Sequence, residues 1–211
     1  MRSSIQKLIE IGSAPTLKAS EQVVLPQCER AYSKELEKIL KTKNGFYAFE
    51  SALHIFPSKC IDEEIGIGAW NSLETWIGEY SNHHEISGVF FAEDIFGCQF
   101  LINTDGVFSF DPETAELERL ASTLEQWAKV ILSDYSVLTG YPLAHEWQKK
   151  NGILPANSRL MPKVPFVLGG DFSIDNLAKC ERVRSMINRA NISNQIRELP
   201  NGTKIRWNII D

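Results

Sequence analysis

The chain has 211 residues, 43% of them hydrophobic and 23% charged, with a formal charge of −5 and a pI near 5.5. That length suits one large domain, or a domain with an appendage, and such a chain buries about 70% of its unfolded surface without disulfide or metal staples. No apolar run approaches the ~20 residues of a membrane span, the opening MRSSIQKLIEIGSAP lacks a signal-peptide core, and the acidic balance argues against phosphate binding, so the expectation is a cytoplasmic protein that engages neither membrane nor nucleic acid.

In chain order, SSIQKLIEIG places Ile5, Leu8 and Ile9 on one helical face, and residues 15–26 read as extended between Pro15 and Pro26. QCERAYSKELEKILKTKNG reads as a helix with Tyr32, Leu36, Ile39 and Leu40 inward, Lys41 and Lys43 near its negative end and Asn44-Gly45 as its stop. FYAFESALHIFP is ambiguous. Phe46, Phe49, Leu53 and Phe56 are spaced roughly as on a helix, while the aromatics also suit a strand; the reading adopted is a helix ended by Pro57. AWNSLETWIGEYSN is a clearer helix, with Trp70, Leu73, Trp76, Ile77 and Tyr80 on one face.

GVFFAED and CQFLIN are predicted strands joined by a tight IFG. Thr104-Asp105-Gly106 is a predicted hairpin turn whose Asp-Gly pair supplies positive φ, and VFSFD is the third strand. Asp111-Pro112-Glu113 reads as a helix start, with the helix running to about Ser133 on a stripe of Leu117, Leu120, Ala121, Leu124, Trp127, Ala128 and Ile131. Pro142, Pro155, Pro162 and Pro165 then bound a helix or loop. PFVLGG looks like a strand, Arg182 to about Glu198 like a basic amphipathic segment, and Asn201-Gly202 turns the chain into a last strand, KIRWNII. These elements predict an α+β fold, a single domain with a central, mostly antiparallel sheet packed by helices. The core spans residues 1–140, and 141–211 form a C-terminal extension, a strand and a helix packed on that core.

Charge is unevenly spread. Residues 62–125 hold fourteen Asp or Glu and one basic residue, Arg119, between net-basic flanks. Nine aromatics interleave the acids, so the block is expected to fold rather than form a disordered tail. An acidic, aromatic-rich surface suits a basic protein partner.

Local chemistry is sparse. Glu93-Asp94 is the obvious carboxylate pair, but adjacent strand residues point to opposite faces and do not converge as an acid–base dyad. They suit a strand-end turn or a partner contact. His83-His84-Glu85 resembles a fragment of a metal site, which needs three or four ligands, and also suits a solvated loop. His54 suits a core or interface position, and His145-Glu146 the exposed side of a short helix. Cys28, Cys60, Cys98 and Cys180 lack the paired spacing of zinc sites and are expected to be reduced and mostly buried. Nucleophile-elbow, zinc-protease, phosphate-loop and dinucleotide motifs are absent. Arg182, Arg184, Arg189 and Arg197 suit a solvated face, or one paired with an acidic neighbour. The Trp70–Tyr80 stripe suits a core, and its flanking acids also make it the best candidate for an exposed anchor. No catalytic set, metal or cofactor is expected.

The order of Asn44-Gly45, Ala92-Glu93-Asp94, Phe96-Gly97, Gly106-Val107 and Ser122-Thr123-Leu124 with Trp127 resembles the SUKH superfamily, named in part for yeast cell-wall assembly regulators of the Smi/Knr type. The resemblance covers about 44–132, with PKVPFVLGGDFSIDNL similar to the tails of bacterial members; residues 57–88 do not align with it. It implies a mixed α/β domain, and for bacterial members an immunity protein that binds and neutralises a polymorphic toxin, many of which are nucleases, without catalysis. The expected function is therefore neutralisation of a cognate, basic, nuclease-type toxin through an acidic surface. The expected contact residues are Glu63, Glu64, Trp70, Glu79, Glu85, Glu93 and Asp94. Two alternatives stand beside it: a scaffold or regulator of the cell-wall assembly type, and a hydrolase or metal enzyme using His83, His84, Glu93 and Asp94.

Overall fold

The computed structural model of the protein describes residues 2–18, 23, 25–26, 30–81, 86–200, 202–203 and 205. In chain order the elements are α1 (Ser4–Ile11), α2 (Arg30–Thr42), β1 (Phe46–Ala48), β2 (Leu53–Ile55), α3 (Ile67–Trp70), a π-helical turn (Leu73–Ile77), α4 (Gly78–Ser81), β3 (Val89–Asp94), β4 (Gln99–Asn103), β5 (Gly106–Phe110), β6 (Leu117–Ala121), α5 (Leu124–Ser133), α6 (Tyr135–Leu138), α7 (Tyr141–Asn151), β7 (Ser158–Pro162), β8 (Leu177–Glu181) and α8 (Arg182–Ile196). Strands β1 to β6 form an antiparallel sheet in sequence order, and β7 pairs with β8 in a separate ribbon. The fold is α+β, with the sheet packed by helices.

Both faces of the sheet are covered, which explains why all six residues of β3 are buried and why its sequence does not alternate. On one face Phe46, Ile55 and Phe91 meet Leu8, Leu36, Ile39 and Trp127 from α1, α2 and α5. The Trp127 ring lies edge-on to Phe91 and Phe100 at 4.9 and 5.4 Å. On the other face Trp76 contacts Phe90 and Phe110 at 5.0 and 6.0 Å. Tyr80 joins it and donates to the carbonyl of Pro112 at 2.7 Å. Helix α8 packs over this face against α4 and the π-helical turn. No helix among the described residues is long and apolar enough to cross a membrane.

Several sequence expectations are corrected. FYAFESALHIFP is the β1–β2 hairpin, not a helix. Phe49, Glu50 and Ser51 all take positive φ, at 52°, 52° and 70°, a strained run for non-glycine residues. It is held from outside. Phe49 stacks on Tyr135 at 4.7 Å, Glu50 accepts from Tyr141 at 3.3 Å and lies 2.8 Å from His145, and Gln148 donates to the Glu50 carbonyl at 2.7 Å. The helix expected over 69–82 is interrupted after Trp70 and includes a π-helical turn. At the β4–β5 hairpin only Gly106 takes positive φ, at 134°, and a Cβ there would meet the Ala121 carbonyl oxygen at 2.2 Å. PFVLGG is a 3-10 turn, Phe166–Leu168, within the β7–β8 loop. Cys60 is exposed rather than buried. The expected strand KIRWNII lies almost wholly outside the described residues, as do Cys28 and parts of the 15–26 segment.

The long helix expected from Asp111 also divides. Residues Leu117–Ala121 pair with β5, and α5 begins only after Thr123, whose side chain accepts from Gln126 N at 3.2 Å while Gln126 Oε1 accepts from Ser122 N at 3.1 Å. Asp111 instead closes a turn by accepting from Glu113 N at 2.7 Å. Replacing Thr123 by Ala should therefore lower stability by about 1 kcal/mol, read as a shift in the urea midpoint; no shift would mean that α5 starts without this cap.

Candidate functional site

The antiparallel register builds a polar row across four strands. Tyr47 of β1 faces His54 of β2, His54 faces Glu93 of β3, and Glu93 faces Gln99 of β4. Directly opposed residues share a face, so these side chains converge on the side that α8 covers. His54 and Gln99 are fully buried and Glu93 is 1% exposed. A buried carboxylate needs cations and hydrogen bonds around it. Here the C-terminal region supplies the cations.

Arg159 of β7 and Arg182, the first residue of α8, are both 1% exposed. Arg159 Nη2 lies 2.8 Å and Arg182 Nε 2.6 Å from Glu93 Oε1. His54 Nδ1 is 3.2 Å from the same oxygen, and Gln99 Nε2 donates to Oε2 at 3.2 Å. Trp70 Nε1 donates to Gln99 Oε1 at 2.8 Å, orienting that amide. The Arg182 guanidinium lies over the rings of Trp70 and Phe56 at 4.3 and 4.9 Å, and Arg159 lies over Tyr47 at 5.5 Å. Such stacking suits the flat, weakly hydrated guanidinium. Glu64 closes the group: its Oε2 is 3.5 Å from Arg182 Nη1 and 3.4 Å from His54 Nε2, and its Oε1 contacts the Tyr47 hydroxyl.

The electrostatics follow from this packing. Burial alone would push the Glu93 carboxyl up, but the Arg159 and Arg182 charges, with the His54 hydrogen bond, outweigh it and hold the pKa well below the usual carboxylate range. Burial, helped by the neighbouring guanidinium charges against the Glu93 hydrogen bond, pushes His54 down to about 3. Glu93 is therefore anionic and His54 neutral around neutrality. Burial raises Glu64. The cluster joins distant segments of the chain. Asp94, on the opposite side of β3, accepts from the backbone of Phe96 and Cys98, both at 2.8 Å; burial nonetheless pushes it up to about 7.

The residues expected to contact a partner therefore divide. Glu63 and Glu79 are exposed, while Glu85, with His83 and His84, lies outside the described residues. Glu64 and Asp94 are each 7% exposed, Glu93 1%, and Trp70 fully buried, so these four are internal and cannot act as surface anchors or steering charges. Trp70 is held by Gln99 and Arg182, and the three acids by the contacts above. Sequence reasoning missed Arg159, Tyr47 and Gln99 as members of the cluster; of its two readings for the α8 arginines, a solvated face or pairing with an acidic neighbour, Arg182 takes the second. The signal was available in α8. Arg182, Ser185, Met186, Arg189, Ala190 and Ser193 are all buried and follow the i, i+3, i+4, i+7 spacing of a core stripe, so Arg182 and Arg189 occupy core positions while Arg184 is exposed. Among the described residues no three His, Cys, Asp or Glu side chains are arranged to hold a metal ion.

Two predictions follow from these charges. Glu93→Gln removes the carboxylate that Arg159 and Arg182 share, leaving Arg182 only the more distant Glu64, and should cost about 3–5 kcal/mol of stability; a loss below about 1 kcal/mol in urea unfolding would show that the cluster is not a structural lock. Asp94 has a folded pKa above its unfolded value, so its ionisation opposes folding increasingly as pH rises from about 4 towards 7. His54, whose folded pKa is depressed, works the other way, its contribution being lost as pH falls below about 6.5. The difference between Asp94→Asn and wild type isolates the Asp94 part. That difference should move in favour of the variant by up to about 1.4 kcal/mol per pH unit across this window and then level off. A difference independent of pH would contradict it.

Compared with known proteins, the chain matches no family model and no curated protein. Among solved structures it is similar to Atu4351 from Agrobacterium tumefaciens, with a TM-score of 0.51, 10% identity and 86% of each chain covered. At that identity the likeness is one of fold.

Proposed function

We propose that this chain is an immunity-type protein, a cytoplasmic, non-catalytic binder that neutralises a basic, nuclease-type protein toxin by covering it. The observation that carries this reading is the state of the acids left at the surface. Asp62, Glu63, Glu74, Glu79, Asp105, Asp111, Glu116 and Glu118 are exposed, and none forms an ion pair with another described residue. Asp62, Glu63, Glu74 and Glu79 all lie on the connection between β2 and β3. Unpaired surface charge of one sign attracts a partner of the other and speeds its encounter. Proteins that bind nucleic acid carry the basic surface this would complement. The motif order that resembles the SUKH superfamily points to the same class of protein.

The test takes the proteins encoded beside this gene as candidate partners, with binding followed at low and high salt. Glu63→Lys with Glu79→Lys should slow association about tenfold or more and flatten its salt dependence, with the melting temperature unchanged because both side chains are exposed. No binding by the wild-type chain at either salt would overturn the reading. Binding that ignores the charge reversal would remove its electrostatic part.

A further inference from the structure

We propose that the loop joining β7 to β8 is the apolar anchor of the partner interface, inserting Phe172 into an apolar pocket on the basic partner. This rests on the reading of the chain as an immunity-type binder and names the surface by which it binds. The loop carries an exposure that folding does not require. Phe172 is 68% exposed, with Val164 and Val167 at 39% and 40% beside it. Its ring stacks on Phe166 at 3.9 Å with an interplanar angle of 4°, and Phe166 meets the buried Phe96 edge-on at 5.5 Å. The three rings form a ladder from core to solvent, so the outermost ring is supported from beneath.

The loop backbone is held in place. The Asn176 side chain spans it, accepting from Val164 N at 2.9 Å and donating to the carbonyls of Val164 and Asp171 at 3.0 Å each. Gly170 N donates to the Pro165 carbonyl at 3.0 Å, and a Cβ on Gly170 would sit 1.9 Å from the Val164 carbonyl oxygen. Val167 N donates to Glu113 Oε2 at 2.9 Å, fastening the loop to the β5–β6 turn. An aromatic ring shown by a pre-ordered loop loses little entropy on binding, which is what an interface hot spot needs.

The surroundings specify the partner. Next to the loop, Val167 and Leu168 share a groove of about 300 Å3 with Ile196 at the end of α8 and Leu199 just after it. Asp171 within the loop, and Asp111 and Glu116 on the turn tied to it through Glu113, are exposed and unpaired among the described residues. Glu79 is exposed on α4, which packs against α8, where Asn194 donates to the Glu79 carbonyl at 2.9 Å. An apolar centre rimmed by acids fits a protein surface with an apolar pocket rimmed by Lys or Arg.

The experiment measures the affinity of the full chain for the basic protein, among those encoded beside this gene, that the salt-dependent binding test selects. Phe172→Ala should weaken binding about thirtyfold or more with an unchanged melting temperature, and Gly170→Ala should weaken it by disordering the support. Val137→Ala, on the separate helix α6 where Val137 is 74% exposed, should bind as wild type does. If the wild type binds and Phe172→Ala binds equally well, the anchor is overturned while the immunity reading stands. If Val137→Ala weakens binding as much as Phe172→Ala, the site is not specific to the loop and the anchor is again overturned. If the wild type does not bind, both fall.

Discussion

The structure depends on one buried carboxylate. Glu93 sits at the centre of a sheet covered on both faces, where an unpaired charge would cost several kcal/mol. Its neighbours in the sheet, His54 and Gln99, are neutral, so its counter-charge must come from elsewhere. It comes from Arg159 and Arg182, which belong to the ribbon and helix that follow residue 140. The sheet and the C-terminal region are therefore complementary. Without the latter, Glu93 would be buried without a cation or left facing water. Without Glu93, two guanidinium groups would be buried against aromatic rings with too little negative charge.

This arrangement changes the meaning of the acidic block. Its charge looks like one surface when counted along the chain, but part of it is internal. Glu64, Glu93, Asp94 and Glu113 are buried, and Arg159 and Arg182 of the basic flank meet the first two of them. The surface field that a partner would meet is what remains: exposed acids on the β2–β3 connection, the β4–β5 turn and the β5–β6 region, with no described ion-pair partner. Two populations of like residues thus do different work. One ties the fold together, and the other lies at the surface, where the proposed function would have it steer an encounter.

The proposed recognition surface is distinct from the scaffold. Hot spots favour aromatic side chains at fixed positions, with polar and charged groups at the rim. The tryptophans of the middle block do not meet that description. Trp70 and Trp76 are fully buried, and each is committed to ring contacts inside the chain. Phe172 meets it, because its loop is fixed by Asn176 and Gly170 and its ring is stacked on one already anchored in the second, smaller cluster of the core.

Much of the fold was legible in the sequence. Strands β3, β4 and β5, the stripe of α5 from Leu124 to Ile131 and the extent of α8 follow from hydrophobic spacing and turn residues, because these are local properties that each segment carries alone. The errors fell where a distant contact chose between local options. Residues 46–57 had both helical spacing and strand composition, and α7 and Tyr135 decided for the hairpin by holding Phe49, Glu50 and Ser51 in the left-handed region. Leu117 to Ala121 had helical spacing, and pairing with β5 made them a strand. The candidate site was less legible still. The chain by itself determined that acids, aromatics and basic helix residues were present and that no familiar catalytic motif was. Only the tertiary structure decided which acids face inward, because that depends on strand register, where one residue of shift moves a side chain to the other face, and on the packing of arginines more than sixty residues away in sequence from the carboxylate they neutralise.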